Sequence, residues 1–357
     1  MFEENCKGII SALADAPYDA VLLTSPQNRF YATGFHSSAG IALLSARRAV
    51  FATDFRYFED AGAKIKGFEL VMSTTEHTYP DIINDFCREE GVGTLAFEAE
   101  SMSYAQYCAY AEKLTARLVP EDGLLARLRH RKHAFELDRM EAAQRIAEGA
   151  FTKILNYIKP GVRERDIAAE LDYQMRLGGA AGCSFDTIVV SGENGSLCHG
   201  VPGEREIRDG DFVTMDFGAL WGGYCSDMTR TVAVGHVSEE QRKVYDTVLR
   251  AQEAGIAAAH AGIIGADLHR VAADIIAEAG YGEYFGHSLG HSLGIDVHDG
   301  LGAQPTNPNP LPEGVVVTIE PGIYIPGRFG VRIEDFVVLT PDGCRNFTRA
   351  PKELIIL

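Results

Sequence analysis

Short apolar runs bounded by turn formers punctuate the first third of the chain. Residues 18–23 (YDAVLL), 41–44 (IALL), 49–52 (AVFA) and 95–97 (LAF) read as buried strands. Helical periodicity covers 79–90 and 104–118. The alternation predicts an α/β unit, a mostly buried sheet flanked by helices. Pro120-Glu121-Asp122-Gly123 breaks this pattern, and the basic run from Arg127 to Lys132 reads as a solvated linker face. A long amphipathic stretch over 134–158 then ends at Lys159-Pro160-Gly161. The boundary falls near 125–133, giving domains 1–130 and 131–357.

The second part contains an internal repeat. After Gly161 a second helix runs through Arg176; about a hundred residues later a helix ends at Ala261-Gly262 and another runs through Ala279. In each copy an aspartate, Asp166 or Asp267, lies five residues past the glycine, placed to cap the next helix. Strands rich in Val, Ile and Thr follow both.

Each copy ends in a hairpin that carries two acids. In the first, Asp216 lies on the strand Asp211-Phe-Val-Thr-Met-Asp216, and Asp227 lies on the return strand after the turn Leu220-Trp-Gly-Gly223. A four-residue loop there sets Asp216 directly across from Asp227. In the second, a hairpin centred on Gly327 sets Glu320 across from Glu334, with Arg332 on the face of Glu334. Carboxylates opposed at about 4.5–5.5 Å repel unless a cation lies between them. Burying them in apolar strands adds a desolvation cost. Four acids at matching places fit two divalent cations better than ordinary ion pairs, because hard oxygen ligands suit such ions and the four negative charges balance them.

Composition narrows the function classes. The net charge of -17 and the lack of any longer Lys/Arg cluster argue against nucleic acid as a partner. Seven scattered cysteines without a C-x-x-C pair give no zinc knuckle or redox motif and read as free thiols. No window approaches ~18 consecutive apolar residues, so no membrane span is expected. The acidic start MFEENCKGII does not resemble a signal peptide. The expectation is a cytoplasmic protein with no membrane partner.

The segment 286–299 concentrates His287, His291 and His298 among Gly286, Gly290 and Gly294. Three glycines in nine residues oppose a helix, each costing about 1 kcal/mol relative to alanine, so the segment is expected to be a loop entering a short strand. It also holds two G-x-S-x-G matches, at Ser288 and Ser292. A serine hydrolase needs an acid and then a histidine well downstream. The last histidine is His298, which leaves no room for them, and the matches are accidental.

Taken together these segments resemble the pita-bread metallopeptidases: methionine aminopeptidase, aminopeptidase P and Xaa-Pro dipeptidase (prolidase). Met215-Asp216-Phe-Gly218, Ser226-Asp227-Met-Thr-Arg230, His291, Thr318-Ile-Glu320-Pro-Gly322 and Val331-Arg-Ile-Glu334-Asp335 carry the resemblance over about 134–350. Residues 19–28 and 31–35 look like the creatinase-type N-terminal domain that accompanies the proline-specific members. The implied fold is an α/β creatinase-type domain followed by an α+β pita-bread domain with a pseudo-twofold repeat.

The resemblance implies metal ligands Asp216, Asp227, His291, Glu320 and Glu334, with two divalent ions, Mn2+ first and Co2+ or Zn2+ as alternatives. It implies hydrolysis of short proline-containing peptides by a hydroxide held between the ions, and a homodimer. Glu320 is expected to relay the proton. His298 and His287 would hydrogen-bond the carbonyl oxygen, His199 would orient substrate, and Arg332 would steady Glu334 or meet a substrate carboxylate. Asp299 after His298 looks more like aminopeptidase P, so the expected activity is that of an Xaa-Pro aminopeptidase. A prolidase is the alternative, and a non-catalytic peptide- or partner-binding scaffold is the alternative of another class.

Overall fold

A computed structural model describes residues 2–121 and 123–357; Met1, and Asp122 within the expected break at 120–123, lie outside it. The chain divides into two compact units, one ending at Arg129 and the other beginning at His130.

The first unit contains α1 (Phe2–Leu13), β1 (Ala20–Leu23), α2 (Pro26–Thr33), β2 (Ile41–Ser45), β3 (Ala49–Thr53), α3 (Phe55–Lys64), β4 (Glu69–Met72), α4 (Tyr79–Glu90), β5 (Thr94–Phe97), α5 (Tyr104–Lys113) and β6 (Arg117–Pro120). The six strands form one sheet in the order β4-β3-β2-β1-β5-β6. Strands β1 to β3 are buried at every position, which is why their sequences read as unbroken apolar runs. The helix expected over 104–118 stops at Lys113, where Leu114 is already extended, and β6 takes up 117–120 as an edge strand.

Helix α6 (Gly123–His130) occupies much of the basic run. That run is a solvated face only in part: Arg127 and Arg131 are exposed, but Arg129 and Lys132 are buried. Arg129 donates to Asn28 Oδ1 at 2.9 Å, and Lys132 Nζ lies 3.6 Å from Asp299 Oδ2.

The second unit shows the repeat directly. Helices α7 (Ala134–Ile154) and α8 (Glu164–Leu177) precede β7 (Gly182–Cys183), β8 (Ile188–Ser191), β9 (Phe212–Phe217), β10 (Ala219–Trp221), β11 (Tyr224–Cys225) and β12 (Met228–Ala233). Helices α9 (Glu239–Ala258) and α10 (Gly265–Glu278) precede β13 (Val316–Ile319), β14 (Gly322–Ile325), β15 (Phe329–Arg332), β16 (Asp335–Thr340) and β17 (Gly343–Asn346). Asp166 and Asp267 are not N-caps. Those positions are Arg163 and Ile264, and each aspartate lies three residues further on, in the first turn. There its charge still faces the positive end of the helix dipole.

Two apolar cores support the halves, one around Phe151, Leu171 and Met215 and one around Val248, Leu268 and Val317. Among the described residues no helix is long and apolar enough to cross a membrane. All seven cysteines are free thiols.

Candidate metal centre

The first hairpin turns more tightly than its sequence suggested. Trp221 pairs with Tyr224, so the loop is Gly222-Gly223 alone, with φ of 58° and 83°. Two consecutive positive φ values define a type I′ turn, for which glycine is suited. The register that follows places Asp216 across from Thr229, not from Asp227. The partner of Asp216 is shifted by two positions. Because side chains alternate with period two, Asp227 still projects from the face of Asp216, as its diagonal neighbour.

The second hairpin has the expected register. Ile319 pairs with Asp335 and Gly322 with Arg332, one alignment on both sides of an interruption that holds Glu320 and Glu334. Pro321 lacks the N–H that would carry the ladder through. The hairpins meet edge to edge. Glu334 N donates to Thr229 O at 3.1 Å, and Arg332 N donates to Thr231 Oγ1 at 3.2 Å.

Residues 286–299 are a loop, as expected, but the short strand is absent; Ser292 makes a single bridge to Val317. The loop lies tightly on β13. Thr318 N donates to His291 O and His291 N donates to Thr318 Oγ1, both at 2.9 Å. A Cβ on Gly290 would lie 1.8 Å from Thr318 O, so only glycine permits this approach.

All nine residues singled out in the sequence line one cavity of about 730 Å³. Ligand atoms of Asp227, His291 and Glu334 lie within 4.8 Å of one another. His291 Nε2 is 3.5 Å from Asp227 Oδ2 and 3.4 Å from Glu320 Oε1. His291 Nδ1 lies 3.2 Å from the carbonyl of Ser292. A carbonyl only accepts, so Nδ1 carries the proton and the Nε2 lone pair faces the acids. Burial lowers the pKa of His291 and keeps the ring neutral.

The electrostatics of the bare cluster favour a cation. Burial, and then Glu334, Asp216 and Glu320, hold Asp227 well above the ordinary carboxylate range. Burial, and then Glu320 and Asp216, do the same to Glu334. Burial pushes Glu320 up to about 7. Asp216 Oδ1, Asp227 Oδ1 and Glu334 Oε1 are buried without a hydrogen-bond partner among the described residues. Unpaired buried carboxylate oxygens are costly, and two of the three acids, Asp227 and Glu334, gather their ligand atoms with His291. Divalent ions satisfy these acceptors and replace the protons that the cluster otherwise retains, so the residues present fit a metal.

Further polar groups fix the acids in place. Thr229 Oγ1 donates to Glu334 Oε2 at 2.7 Å and accepts from Arg332 Nε at 3.0 Å. Thr318 Oγ1 donates to Glu320 Oε1 at 3.0 Å. Arg332 Nη2 donates to Asp216 Oδ2 at 2.6 Å, so the guanidinium steadies Asp216 where Glu334 was expected. Its Nη1 donates to Tyr324 Oη at 2.9 Å and to Cys198 O at 3.2 Å.

His287 has both ring nitrogens engaged. Nδ1 lies 2.7 Å from Ser288 O and Nε2 lies 2.9 Å from Tyr324 Oη. Since Ser288 O can only accept, Nε2 is unprotonated and receives the Tyr324 hydroxyl. Burial pushes His287 down to about 4, consistent with a neutral ring. His298 and His199 are exposed on the cavity wall, and the His298 ring stands 4.3 Å from that of His291 in an edge-on contact.

Thr229, Thr318 and Tyr324 were not anticipated. The two threonines had a sequence signal, since each lies two residues from an acid on the same strand face, at 227/229 and 318/320. Tyr324 had none, because its partners come from distant segments.

Comparison with known proteins agrees with this geometry. Residues 138–341 match Metallopeptidase family M24, and residues 6–130 match the Creatinase/Prolidase N-terminal domain. A Xaa-Pro dipeptidase of Pyrococcus horikoshii is 36% identical over 361 residues, covering 99% of each chain. The structure of a Xaa-Pro dipeptidase from Bacillus anthracis superposes with a TM-score of 0.96 at 42% identity, covering 100% of both chains. That of an X-Pro aminopeptidase from Thermotoga maritima superposes with a TM-score of 0.91 at 37% identity, covering 95% of this chain and 98% of the other. M24 peptidases are enzymes with two divalent metal ions, and with its catalytic half and its N-terminal half both matched, the chain belongs to metallopeptidase family M24.

Proposed function

We propose that the chain is a metal-dependent Xaa-Pro dipeptidase. The observation that carries the metal chemistry is the set of unpartnered buried carboxylate oxygens on Asp216, Asp227 and Glu334 in one cavity, where ligand atoms of Asp227, Glu334 and His291 lie within 4.8 Å of one another. Support for the dipeptide substrate comes from the relatives named Xaa-Pro dipeptidase, which match this chain over almost its whole length. The aminopeptidase expected from Asp299 thereby becomes the second reading.

Asp216, Asp227, His291, Glu320 and Glu334 would hold two divalent ions, and an oxygen-dominated set favours Mn2+ over a zinc cage of Cys and His. The chemistry supplied by the ions, when bound, is activation of water and polarisation of the scissile carbonyl. Glu320 takes a proton and returns it to the prolyl nitrogen; burial, which pushes it up to about 7 in the metal-free cluster, supports that role. His298, exposed beside His291, donates to the carbonyl oxygen as charge develops. His199 orients the substrate from the cavity wall. His287, with no nitrogen to spare, orients the Tyr324 hydroxyl instead, and Arg332 positions Asp216.

One observation favours the second reading. Arg332 commits four of its five N–H groups to Thr229, Cys198, Tyr324 and Asp216, and among the described residues no lysine lines the cavity. In the dipeptidase reading, with His298 donating to the scissile carbonyl, His199 is the exposed imidazole left to meet the prolyl carboxylate. Hydrolysis of Ala-Pro and Ala-Pro-Ala with added Mn2+ decides between the readings. Cleavage of Ala-Pro alone is expected; cleavage of Ala-Pro-Ala at equal or greater kcat/KM overturns the dipeptidase reading.

A further inference from the structure

The cavity holds one charged side chain that the metal centre and its hydrogen bonds do not use. Asp186 lines the wall, is exposed, and has no hydrogen bond or ion pair among the described residues. By contrast Asp216, Asp227, Glu320 and Glu334 form the cluster, and Arg332 is committed to it.

The position of Asp186 follows from strand register. Ile188, at the start of β8, pairs directly with Asp216 on β9. Asp186 lies two residues before Ile188, about 6.6 Å further along the chain at strand rise. It therefore stands about one long side chain away from the acid cluster, on the same wall. The same cavity carries apolar side chains: Phe185, Ile188 and Val201, the last 85% exposed. Such side chains offer apolar surface along which an alkyl stem can lie while its charged end reaches solvent.

We infer that Asp186 is a specificity-determining residue that favours substrates whose N-terminal residue carries a long cationic side chain, lysine or arginine. The substrate's α-ammonium cannot play this part, because it is two bonds from the scissile carbon and is held near the cluster, whereas a lysyl or arginyl side chain extends to the rim. Such a contact is partly solvated, so its effect is modest and salt-sensitive. The inference rests on the peptidase reading above, but on neither of its two versions.

The test compares Lys-Pro with norleucine-Pro, which has the same stem without the charge, in the Mn2+-loaded full chain. The same comparison with Lys-Pro-Ala and norleucine-Pro-Ala allows the ratio to be read whichever peptide length is cleaved. The wild-type ratio of kcat/KM is expected to favour lysine by roughly twofold to fivefold at low salt, the size that exposed ion pairs carry. Asp186→Asn should bring the ratio to about one, and Asp186→Lys should bring it below one and favour Glu-Pro over Gln-Pro. Because the readout is a ratio, a general loss of activity or folding does not imitate it. A ratio at or below one in the wild type, or the same ratio in all three proteins, overturns the inference. Cleavage of norleucine-Pro in that case leaves the dipeptidase reading standing.

Discussion

Thr229→Val removes one hydroxyl at the junction of the two hairpins and leaves the shape of the side chain nearly unchanged. Thr229 is fully buried, and its Oγ1 is bonded to two charged groups, Glu334 at 2.7 Å and Arg332 at 3.0 Å. Glu334 has no other side-chain donor, since its Oε1 is already unpartnered among the described residues. Hydrogen bonds to charged groups contribute about 1.5–3 kcal/mol each. Relaxation and the elevated pKa of Glu334 reduce the sum, giving an expected loss of about 2–4 kcal/mol in the metal-free protein. If Glu334 is a ligand, loss of the group that orients it weakens metal binding about 10–100-fold. Urea denaturation of metal-free protein and Mn2+ titration by calorimetry measure the two effects. A folded variant with the wild-type Mn2+ affinity would refute the reasoning, because it would mean that Glu334 needs no orientation from Thr229.

Arg230→Ala should destabilise the protein by about 3–5 kcal/mol, read as a shift in the urea midpoint. It removes one of the two cations that hold the fully buried Asp335, bonded to Arg230 Nη2 at 2.8 Å and to Lys352 Nζ at 2.7 Å, and leaves four backbone carbonyls without the guanidinium. Gly290→Ala should abolish metal binding or folding, assayed by circular dichroism and Mn2+ titration, since its Cβ would meet Thr318 O. In metal-free protein, His287 should make stability fall as pH drops from about 6.5, its ordinary value, to about 4, its buried value. Over that window the unfolded chain binds the proton and the folded chain does not. The contribution is present above the window and is lost below it, to a total of about 2–3 kcal/mol. Urea midpoints across pH should show it as a difference between wild type and His287→Gln; parallel curves would contradict it.

The proposed metal site is legible in the sequence because residue types and strand parity survive errors of register. Leu220-Trp221-Gly222-Gly223 reads as a four-residue loop, and the true two-residue turn at Gly222-Gly223 moves each pairing by two positions. A slip of two keeps every side chain on its face, so Asp216 and Asp227 stay together; a slip of one would have separated them. The second register was easier, since Pro326-Gly327-Arg328 leaves one short loop between Ile325 and Phe329. The helix capping was misread for a related reason. Asp166 and Asp267 lie in matching places in both repeats, but three residues inside the helix, where Asp166 binds Arg163 and Asp267 binds Arg270.

What the sequence did not reveal depends on contacts across long separations. His287 looks like a substrate donor until Tyr324, 37 residues on, is seen to occupy its Nε2. Arg332 lies two residues from Glu334, yet its guanidinium reaches Asp216, 116 residues earlier. The burial of Arg129 and Lys132 in a run that reads as a polar linker is of the same kind. A charged residue's partner is set by tertiary packing, and local periodicity carries no record of it.

The stoichiometry of Mn2+ in the purified full-length chain and in Asp227→Ala tests the metal centre most directly. Two ions per wild-type chain are expected, with neither binding nor hydrolysis of Ala-Pro in the variant. Asp227→Ala retaining two ions and full activity, or a wild-type chain that binds none, would contradict the assignment of these acids and His291 as metal ligands.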